Sequence, residues 1–173
     1  MRIVPGGRWW PLGKPDAAEV VAGLWVGSAP SRSQVRRLIA GGITTVVDLR
    51  GDDEVGGSLW PETIVYACVP LRDHAAPSVE ELEQAGELVA DLMRQGDTVL
   101  VHCHAGLERS PTVACAALML LGWSLRDAYR RVTASRTDAA PTEGQLAALR
   151  ALADRLAAAD IVGHRREATP ALL

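Results

Sequence analysis

The sequence lacks phenylalanine altogether and contains a single lysine, Lys14, so nearly all of its cationic side chains are arginines. Five Trp and two Tyr supply all of the aromatic bulk. The formal net charge of −3 argues against a nucleic-acid-binding protein that relies on overall positive charge, although a local basic pocket is compatible with it. We therefore do not favour a nucleic acid as the partner.

Cysteines and long apolar segments are also scarce. The odd, small set of Cys68, Cys103 and Cys115 does not indicate a disulfide framework and favours a reducing compartment. The longest apolar run, residues 113–121, is about half the length that spans a bilayer. The N-terminus lacks the apolar core of a signal peptide. We expect a cytoplasmic protein that does not insert into a membrane.

What is present is typical of one globular domain. A length of 173 residues allows one domain with little room for a second, and 48% apolar and 23% charged residues exclude wholesale disorder. A chain of this size can sustain a core without metal or disulfide crosslinks. We expect an irregular lead-in over residues 1–20, a folded domain over 21–160 and a frayed tail over 161–173.

Apolar segments alternate with amphipathic ones along the chain. Helices are expected to begin after the cap residues Ser31, Ser78, Ser124 and Thr142, and a further apolar helix runs from about residue 110 to 121. Strands are expected at residues 23–27, 43–49, 64–69 and 98–102. This order indicates an α/β domain in which helices flank a central, mostly parallel sheet.

The segment VHCHAGLERSP at residues 101–111 carries the chemistry. A buried strand brings Cys103 to its carboxyl end, where open α/β sheets bind ligands, and a helix begins after Arg109. A loop wrapped around a helix N-terminus points its N–H groups inward and forms an anion site of phosphate size. Arg109 adds a planar, two-pronged donor, and Gly106 fits the tight turn.

The same environment favours the thiolate form of Cys103, a nucleophile placed for in-line attack on phosphorus. The alternative is that Cys103 is a small buried apolar residue beside an unrelated arginine. His102 and His104 flank Cys103, but neighbouring strand residues point to opposite faces and no second ligand pair follows. We therefore predict neither a metal nor an organic cofactor.

These residues resemble a known family. His102-Cys103-(x)5-Arg109-Ser110 is similar to the HC(x)5R(S/T) signature of the cysteine-based protein phosphatases. Outside this loop, the similarity to dual-specificity phosphatases continues at residues 23–28, 42–49, 128–132, 141 and 145–146, and covers about residues 22–155. The resemblance implies a cysteine-phosphatase-like fold over residues 21–160 and hydrolysis of phosphate monoesters through a phosphocysteine.

The resemblance also implies roles for the loop residues. Cys103 is the expected nucleophile, and His102 is expected to order the loop through hydrogen bonds instead of acting as a base. Ser110 is expected to donate a hydrogen bond to the Cys103 sulfur, and the alternative is a plain helix cap. The phosphate is expected to be held by His104, Ala105, Gly106, Leu107, Glu108 and Arg109.

A carboxylic acid on another loop must protonate the leaving oxygen. Asp73 follows the strand at 64–69 and a proline, as the general acid of the family does, so the resemblance favours Asp73. The alternative is that Asp73 is a solvated loop residue, in which case Asp52 or Asp53 would supply the proton.

The residues in and around the loop bear on the substrate class. The loop contains no lysine of the kind found in lipid phosphatases and it carries Glu108, which disfavours inositol lipids, although Arg36, Arg37, Arg72 or Arg136 could line the rim of the pocket. No counterpart of a tyrosine-recognition loop is present, so a shallow pocket should accept phosphotyrosine, phosphoserine and phosphothreonine. The expected partner is a phosphorylated protein or a small phosphate ester.

Three questions stay open at this level. The same chemistry is compatible with an inositol phosphate or an RNA 5′-triphosphate, and a phospho-binding pseudophosphatase would retain the same loop. Cys68 ends the strand before the Asp73 loop, so a protective disulfide with Cys103 is a further possibility. The sequence does not indicate an oligomeric state.

Overall fold

A five-stranded sheet forms the centre of the protein. The computed structural model describes residues 16–51 and 59–167, with the side chains of the second range described to residue 159. The strands are β1 (Ala17–Val21), β2 (Leu24–Gly27), β3 (Thr45–Asp48), β4 (Val65–Cys68) and β5 (Val99–His102). Their order is β1-β2-β5-β3-β4, and β1 alone runs antiparallel to its neighbour. The predicted mostly parallel α/β sheet is confirmed.

Five helices accompany the sheet in the described part of the chain. They are α1 (Arg32–Ala40), α2 (Val79–Arg94), α3 (Arg109–Leu120), α4 (Leu125–Ser135) and α5 (Glu143–Glu167). At the start of α2, the Ser78 hydroxyl accepts from the Glu81 N–H and the Glu81 carboxylate accepts from the Ser78 N–H, so the predicted capping box forms. At the start of α4 only half of the box forms, because the Asp127 carboxylate accepts from the Ser124 hydroxyl and not from its backbone.

The two faces of the sheet pack against different helices. Val99 and Val101 of β5 join the larger core with α2, α3, α4 and α5, whereas Leu100 between them joins a smaller core with α1. This division follows from the alternation of side chains along a strand. Helix α3 is buried from Arg109 to Met119, so it is held against the sheet on one side and against other helices on the rest. Its N-terminus is thereby fixed beside the carboxyl end of β5.

An irregular conformation was predicted for residues 1–20, and this prediction is wrong for residues 17–20. Residues 17–21 form β1, which pairs with β2 and buries Val20 completely. The segment is short and carries Glu19, so its own sequence pattern is a weak strand signal, and pairing with β2 decides its conformation. Residues 1–15 lie outside the described residues.

Helix α5 is longer than the sequence predicted and includes the first residues of the expected tail over residues 161–173. Helix α5 continues to Glu167, past its expected end near residue 159. Residues 160–167 contain no proline, and the charged residues near this end are good helix formers, so the backbone hydrogen bonds continue. Residues 168–173, and the alternative acids Asp52 and Asp53, lie outside the described residues.

Candidate active site

The loop from Cys103 to Arg109, called the phosphate loop below, joins the carboxyl end of β5 to the first turn of α3. Cys103 is buried at its base, and the Gly106 N–H donates to Cys103 Sγ at 3.2 Å. The Ser110 Oγ lies 3.5 Å from the same sulfur and 3.2 Å from the Gly27 carbonyl oxygen. A hydroxyl has one proton, so Ser110 can donate to only one of these acceptors at a time.

Gly106 fits its position for two independent reasons. Its φ of +72° is a conformation that L side chains rarely adopt. A Cβ atom at this position would also lie 2.5 Å from the Gly27 carbonyl carbon and 2.6 Å from the Ser28 nitrogen. The phosphate loop therefore passes so close to the end of β2 that only glycine fits there.

The carbonyl groups of residues 104–107 are all hydrogen-bonded to groups outside the phosphate loop. Their donors, in chain order, are Ala29 N (3.0 Å), Arg136 Nη2 (3.1 Å), Arg136 Nε (2.6 Å) and Ala140 N (2.7 Å). In a trans peptide the C=O and the following N–H point in opposite directions. Outward carbonyls therefore turn the N–H groups of residues 105–108 towards the inside of the loop.

The Arg109 side chain is held by three groups outside the phosphate loop. Its Nη1 donates to the carbonyl oxygens of Leu49 at 3.3 Å and Leu71 at 3.2 Å, and its Nε lies 3.0 Å from Asp73 Oδ1. Only 3% of this side chain is exposed. The guanidinium plane is therefore oriented by the end of β3 and by the loop that follows β4.

Two consecutive residues of the loop after β4 contact two consecutive residues of the phosphate loop. Asp73 pairs with Arg109, and His74 Nδ1 lies 3.0 Å from Glu108 Oε2. His74 has a φ of +53°, and its own N–H donates to Asp73 Oδ1. The structure thus places the predicted general acid beside the predicted phosphate-binding arginine.

The ligand atoms of Asp73, His74 and Glu108 lie within 4.8 Å of one another, which makes them the one candidate grouping for a metal in the described residues. All three belong to the contacts between the two loops, and those contacts account for the proximity. The absence of a metal stays a prediction.

A buried polar group below the phosphate loop was missed by the sequence analysis. The Asp48 carboxylate, at the end of β3, accepts from Arg50 Nε (2.9 Å), Arg50 Nη2 (2.7 Å) and Tyr66 Oη (2.7 Å), and lies 3.7 Å from His102 Nδ1. Burial alone would raise the pKa of Asp48, but the hydrogen bonds from Arg50 and Tyr66 and the electrostatic interaction with His102 outweigh it and hold that pKa below its ordinary value. An aspartate in an otherwise apolar strand was the available signal.

His102 and Tyr66 respond to the same environment. Burial lowers the pKa of His102, against the opposing effect of Asp48, so its neutral form is favoured. Burial and the hydrogen bond to Asp48 raise the pKa of Tyr66 above its ordinary value. The His102 Nδ1 lies 3.3 Å from the backbone carbonyl oxygen of Cys103, the candidate nucleophile.

The other two cysteines, Cys68 and Cys115, lie outside the phosphate loop. Cys115 is buried within α3, and burial raises the pKa of its thiol to about 12. Cys68 is exposed on β4, and β3 lies between β4 and β5. Two strand spacings separate Cys68 from the end of β5, roughly 9.6 Å, which exceeds the reach of a disulfide of about 7 Å between Cα atoms. A disulfide between Cys68 and Cys103 would require the sheet to open.

One of the arginines expected at the rim lies elsewhere. Arg136 is buried behind the phosphate loop, where its donors bind loop carbonyls, because it follows directly after α4 and pairs with Asp16. Arg36 and Arg72 are exposed and Arg37 is half-buried on α1. No helix in the part of the chain that the structure describes is both long and apolar enough to cross a membrane.

Comparison with known proteins agrees with this geometry. Residues 24–155 match the model of the dual specificity phosphatase catalytic domain. Dual specificity protein phosphatase 14 of Homo sapiens is 32% identical over 129 residues, which are 73% of this chain and 64% of that protein. Dual specificity protein phosphatase 1 of Arabidopsis thaliana is 29% identical over 143 residues, 80% of this chain and 69% of that protein.

Solved structures give the same result. The crystal structure of Tk-PTP in the active form superposes with a TM-score of 0.74 at 32% sequence identity, and the match covers 82% of this chain and 98% of that one. The family match extends over most of the chain and includes the loop whose geometry is described above. The chain therefore belongs to the dual specificity phosphatase family and is a cysteine-dependent protein phosphatase.

Proposed function

We propose that this protein removes phosphate from phosphotyrosine and from phosphoserine or phosphothreonine through a phosphocysteine on Cys103. The observation that carries the proposal is the position of Cys103 Sγ. The sulfur lies at the base of a loop whose amides face inward. It is 3.2 Å from the Gly106 nitrogen and 3.5 Å from the Ser110 Oγ. N–H donors and a helix N-terminus stabilise a thiolate more than a thiol.

The first chemical step transfers the phosphoryl group to sulfur. The Cys103 thiolate forms a bond to phosphorus while the bond from phosphorus to the substrate oxygen breaks. The inward N–H groups of the phosphate loop and the Arg109 guanidinium hold the other three oxygens and stabilise the charge that they carry in the transition state. The carbonyls of Leu49 and Leu71 support this role, because they fix the Arg109 plane before the substrate binds.

Asp73 supplies the proton that the leaving oxygen takes up. In the free protein Asp73 pairs with Arg109 at 3.0 Å. An incoming phosphate dianion offers Arg109 a new partner, which releases Asp73 to face the leaving oxygen. In the second step Asp73 accepts a proton from water as the water oxygen attacks phosphorus, the bond between sulfur and phosphorus breaks, and inorganic phosphate and the thiolate are released. One water molecule is consumed per cycle.

Ser110 assists the second step in this mechanism. Its hydroxyl can turn from the Gly27 carbonyl, at 3.2 Å, to Cys103 Sγ, at 3.5 Å, when the sulfur becomes the leaving group. No metal or organic cofactor takes part. A thiolate nucleophile must stay reduced, and the three cysteines are free, so we place the protein in a reducing compartment such as the cytoplasm.

A single phosphate monoester fits the surroundings better than a polyphosphate. Glu108 adds negative charge beside Arg109, and Arg136 is directed behind the loop and not to its rim. A substrate with several phosphates would therefore be repelled by Glu108 and would find no Arg136 guanidinium at the rim to bind a second phosphate. This favours phosphorylated proteins over inositol phosphates and RNA 5′-triphosphates.

The test is hydrolysis of p-nitrophenyl phosphate between pH 5 and 8 under reducing conditions, for the wild type, Cys103→Ser and the matched control Cys68→Ser. We expect complete loss in Cys103→Ser and no loss in Cys68→Ser, because Cys68 is exposed on the far strand. Hydrolysis that survives in Cys103→Ser would refute the phosphocysteine.

A second series compares phosphopeptides with an inositol phosphate and an RNA 5′-triphosphate. Faster turnover of either non-protein substrate would refute the proposed substrate class. Phosphopeptide binding without turnover by the wild type would identify a pseudophosphatase.

A further inference from the structure

Arg136 is a buried cation that the proposed chemistry does not use. Its side chain is 4% exposed and lies behind the phosphate loop. Burial by itself would lower the pKa of Arg136, but the carboxylates of Asp16 and Asp138 raise it above its ordinary value, so the charge is retained. A buried charge persists only where it is paired and hydrogen-bonded. The partners of Arg136 therefore indicate what it stabilises.

Two donors of Arg136 bind the outer side of the phosphate loop. Nε donates to the Gly106 carbonyl at 2.6 Å, and Nη2 donates to the Ala105 carbonyl at 3.1 Å. Because the C=O and the next N–H of a trans peptide point in opposite directions, these bonds turn the N–H groups of Gly106 and Leu107 inward. The Gly106 N–H is also the group that donates to Cys103 Sγ.

Asp16 determines the orientation of the Arg136 guanidinium. Its two carboxylate oxygens accept from Nη1 and Nη2, each at 2.9 Å, in the two-pronged geometry that fixes a guanidinium plane. Asp16 is anchored in turn, because its carbonyl accepts from the Ser28 N–H at 2.9 Å. The end of β2, the start of β1 and the back of the phosphate loop are thereby connected.

We propose that Asp16 is a positioning residue for phosphate binding: it holds Arg136, and Arg136 holds the Ala105 and Gly106 carbonyls outward, so that the loop amides face the phosphate. The proposal rests on the phosphate-binding role given to the loop above. It assigns a function to a residue that precedes the segment 24–155 matched by the family model. Asp16 does not touch the substrate and acts through Arg136.

The test compares Asp16→Asn with the matched control Asp91→Asn. Asp16 and Asp91 are 53% and 52% exposed and each pairs with an arginine, but Asp91 lies on α2 and its partner Arg94 does not contact the phosphate loop. The dissociation constant of inorganic phosphate is measured by calorimetry. We expect a roughly tenfold increase in Asp16→Asn, the size expected when charge-assisted hydrogen bonds weaken, and no change in Asp91→Asn.

A second measurement reports on the loop directly. Cys103 is alkylated with anionic iodoacetate and with neutral iodoacetamide, and the peptide that contains Cys103 is followed by mass spectrometry. The ratio of the two rates depends on the donors around the sulfur and not on global stability. We expect this ratio to fall in Asp16→Asn by about the same factor as phosphate affinity. An unchanged phosphate dissociation constant and an unchanged ratio would overturn the proposal, even if the unfolding midpoint fell.

Neither measurement requires turnover. A wild-type protein that binds phosphate but does not hydrolyse esters would contradict the proposed function and leave this proposal standing. A double-mutant cycle with Arg136→Lys, which keeps the charge but removes the two-pronged geometry, tests whether Asp16 acts on the phosphate loop through Arg136. If Asp16 acts through Arg136, Asp16→Asn adds no further loss in that background. Additive losses would refute the proposal.

Discussion

Asp73 Oδ1 lies 3.0 Å from Arg109 Nε, so the candidate acid and the candidate phosphate-binding cation are partners before any substrate arrives. The pair joins the loop after β4 to the phosphate loop, and the contact of His74 with Glu108 lies next to it. Asp73 is 44% exposed, and in the proposed mechanism it leaves the pair when a phosphate dianion engages Arg109.

Replacement of Asp73 by asparagine should affect poor leaving groups most. We expect kcat/KM, which covers the transfer of the phosphoryl group to sulfur and not the second step, to fall by about two orders of magnitude for phenyl phosphate, the usual contribution of a positioned general acid, and to fall less for p-nitrophenyl phosphate, because nitrophenolate leaves without a proton. Steady-state kinetics with both esters provides the measurement. Equal losses on the two esters would assign another role to Asp73.

The contact between Glu108 and His74 should hold the Asp73 loop in place. An exposed pair of this kind contributes about 0.2–1 kcal/mol, so we expect Glu108→Gln to lower kcat/KM for phenyl phosphate by up to about fivefold and to change kcat/KM for p-nitrophenyl phosphate little. Glu87→Gln, which removes a carboxylate from an exposed pair with Arg94 on α2, is the matched control. A loss confined to p-nitrophenyl phosphate would contradict this expectation.

Gly106→Ala should abolish activity because it combines backbone strain with a clash. The left-handed conformation alone costs an alanine about 1–2 kcal/mol, and here the new Cβ would also lie 2.5 Å from Gly27. Gly96→Ala is the control for strain without a clash, since Gly96 has a φ of +92° and no heavy atom within 4 Å of the added Cβ. We expect Gly96→Ala to lower the free energy of unfolding by about the strain cost while keeping activity. Similar activity in the two variants would show that the close contact with β2 does not matter.

The stability of the fold should fall as pH drops below 6.5. Burial lowers the pKa of His102 from its ordinary value of 6.5, so the unfolded chain binds a proton that the folded protein does not bind. The contribution of His102 to stability is therefore fully present above pH 6.5 and declines below it. Asp48, whose pKa lies below its ordinary value of 3.8, adds a second decline below pH 3.8.

This dependence can be measured by thermal unfolding between pH 7 and 5. We expect His102→Gln to reduce the slope of the unfolding midpoint against pH. Equal slopes in the wild type and His102→Gln would show that another group controls the acid sensitivity.

Much of this architecture could be read from local patterns. Apolar β-branched runs at 43–49 and 98–102 predicted the inner strands, because a strand covered on both faces needs apolar side chains at every position. Ser78 and Glu81 predicted the start of α2, because a capping box is a local interaction. Strand β1 was missed, because a short segment that carries a glutamate becomes a strand only through its pairing with β2.

The sequence by itself determined the phosphate loop. The order of strand, cysteine, glycine, arginine and helix within residues 101–111 permits few conformations, and each requirement is local. The tertiary structure alone decided which distant residues serve that loop. Arg136 binds two of its carbonyls, Asp16 pairs with Arg136, and Asp48 lies 3.7 Å from His102, the residue before the loop. Such contacts join residues far apart in the chain, and no spacing along the sequence specifies them.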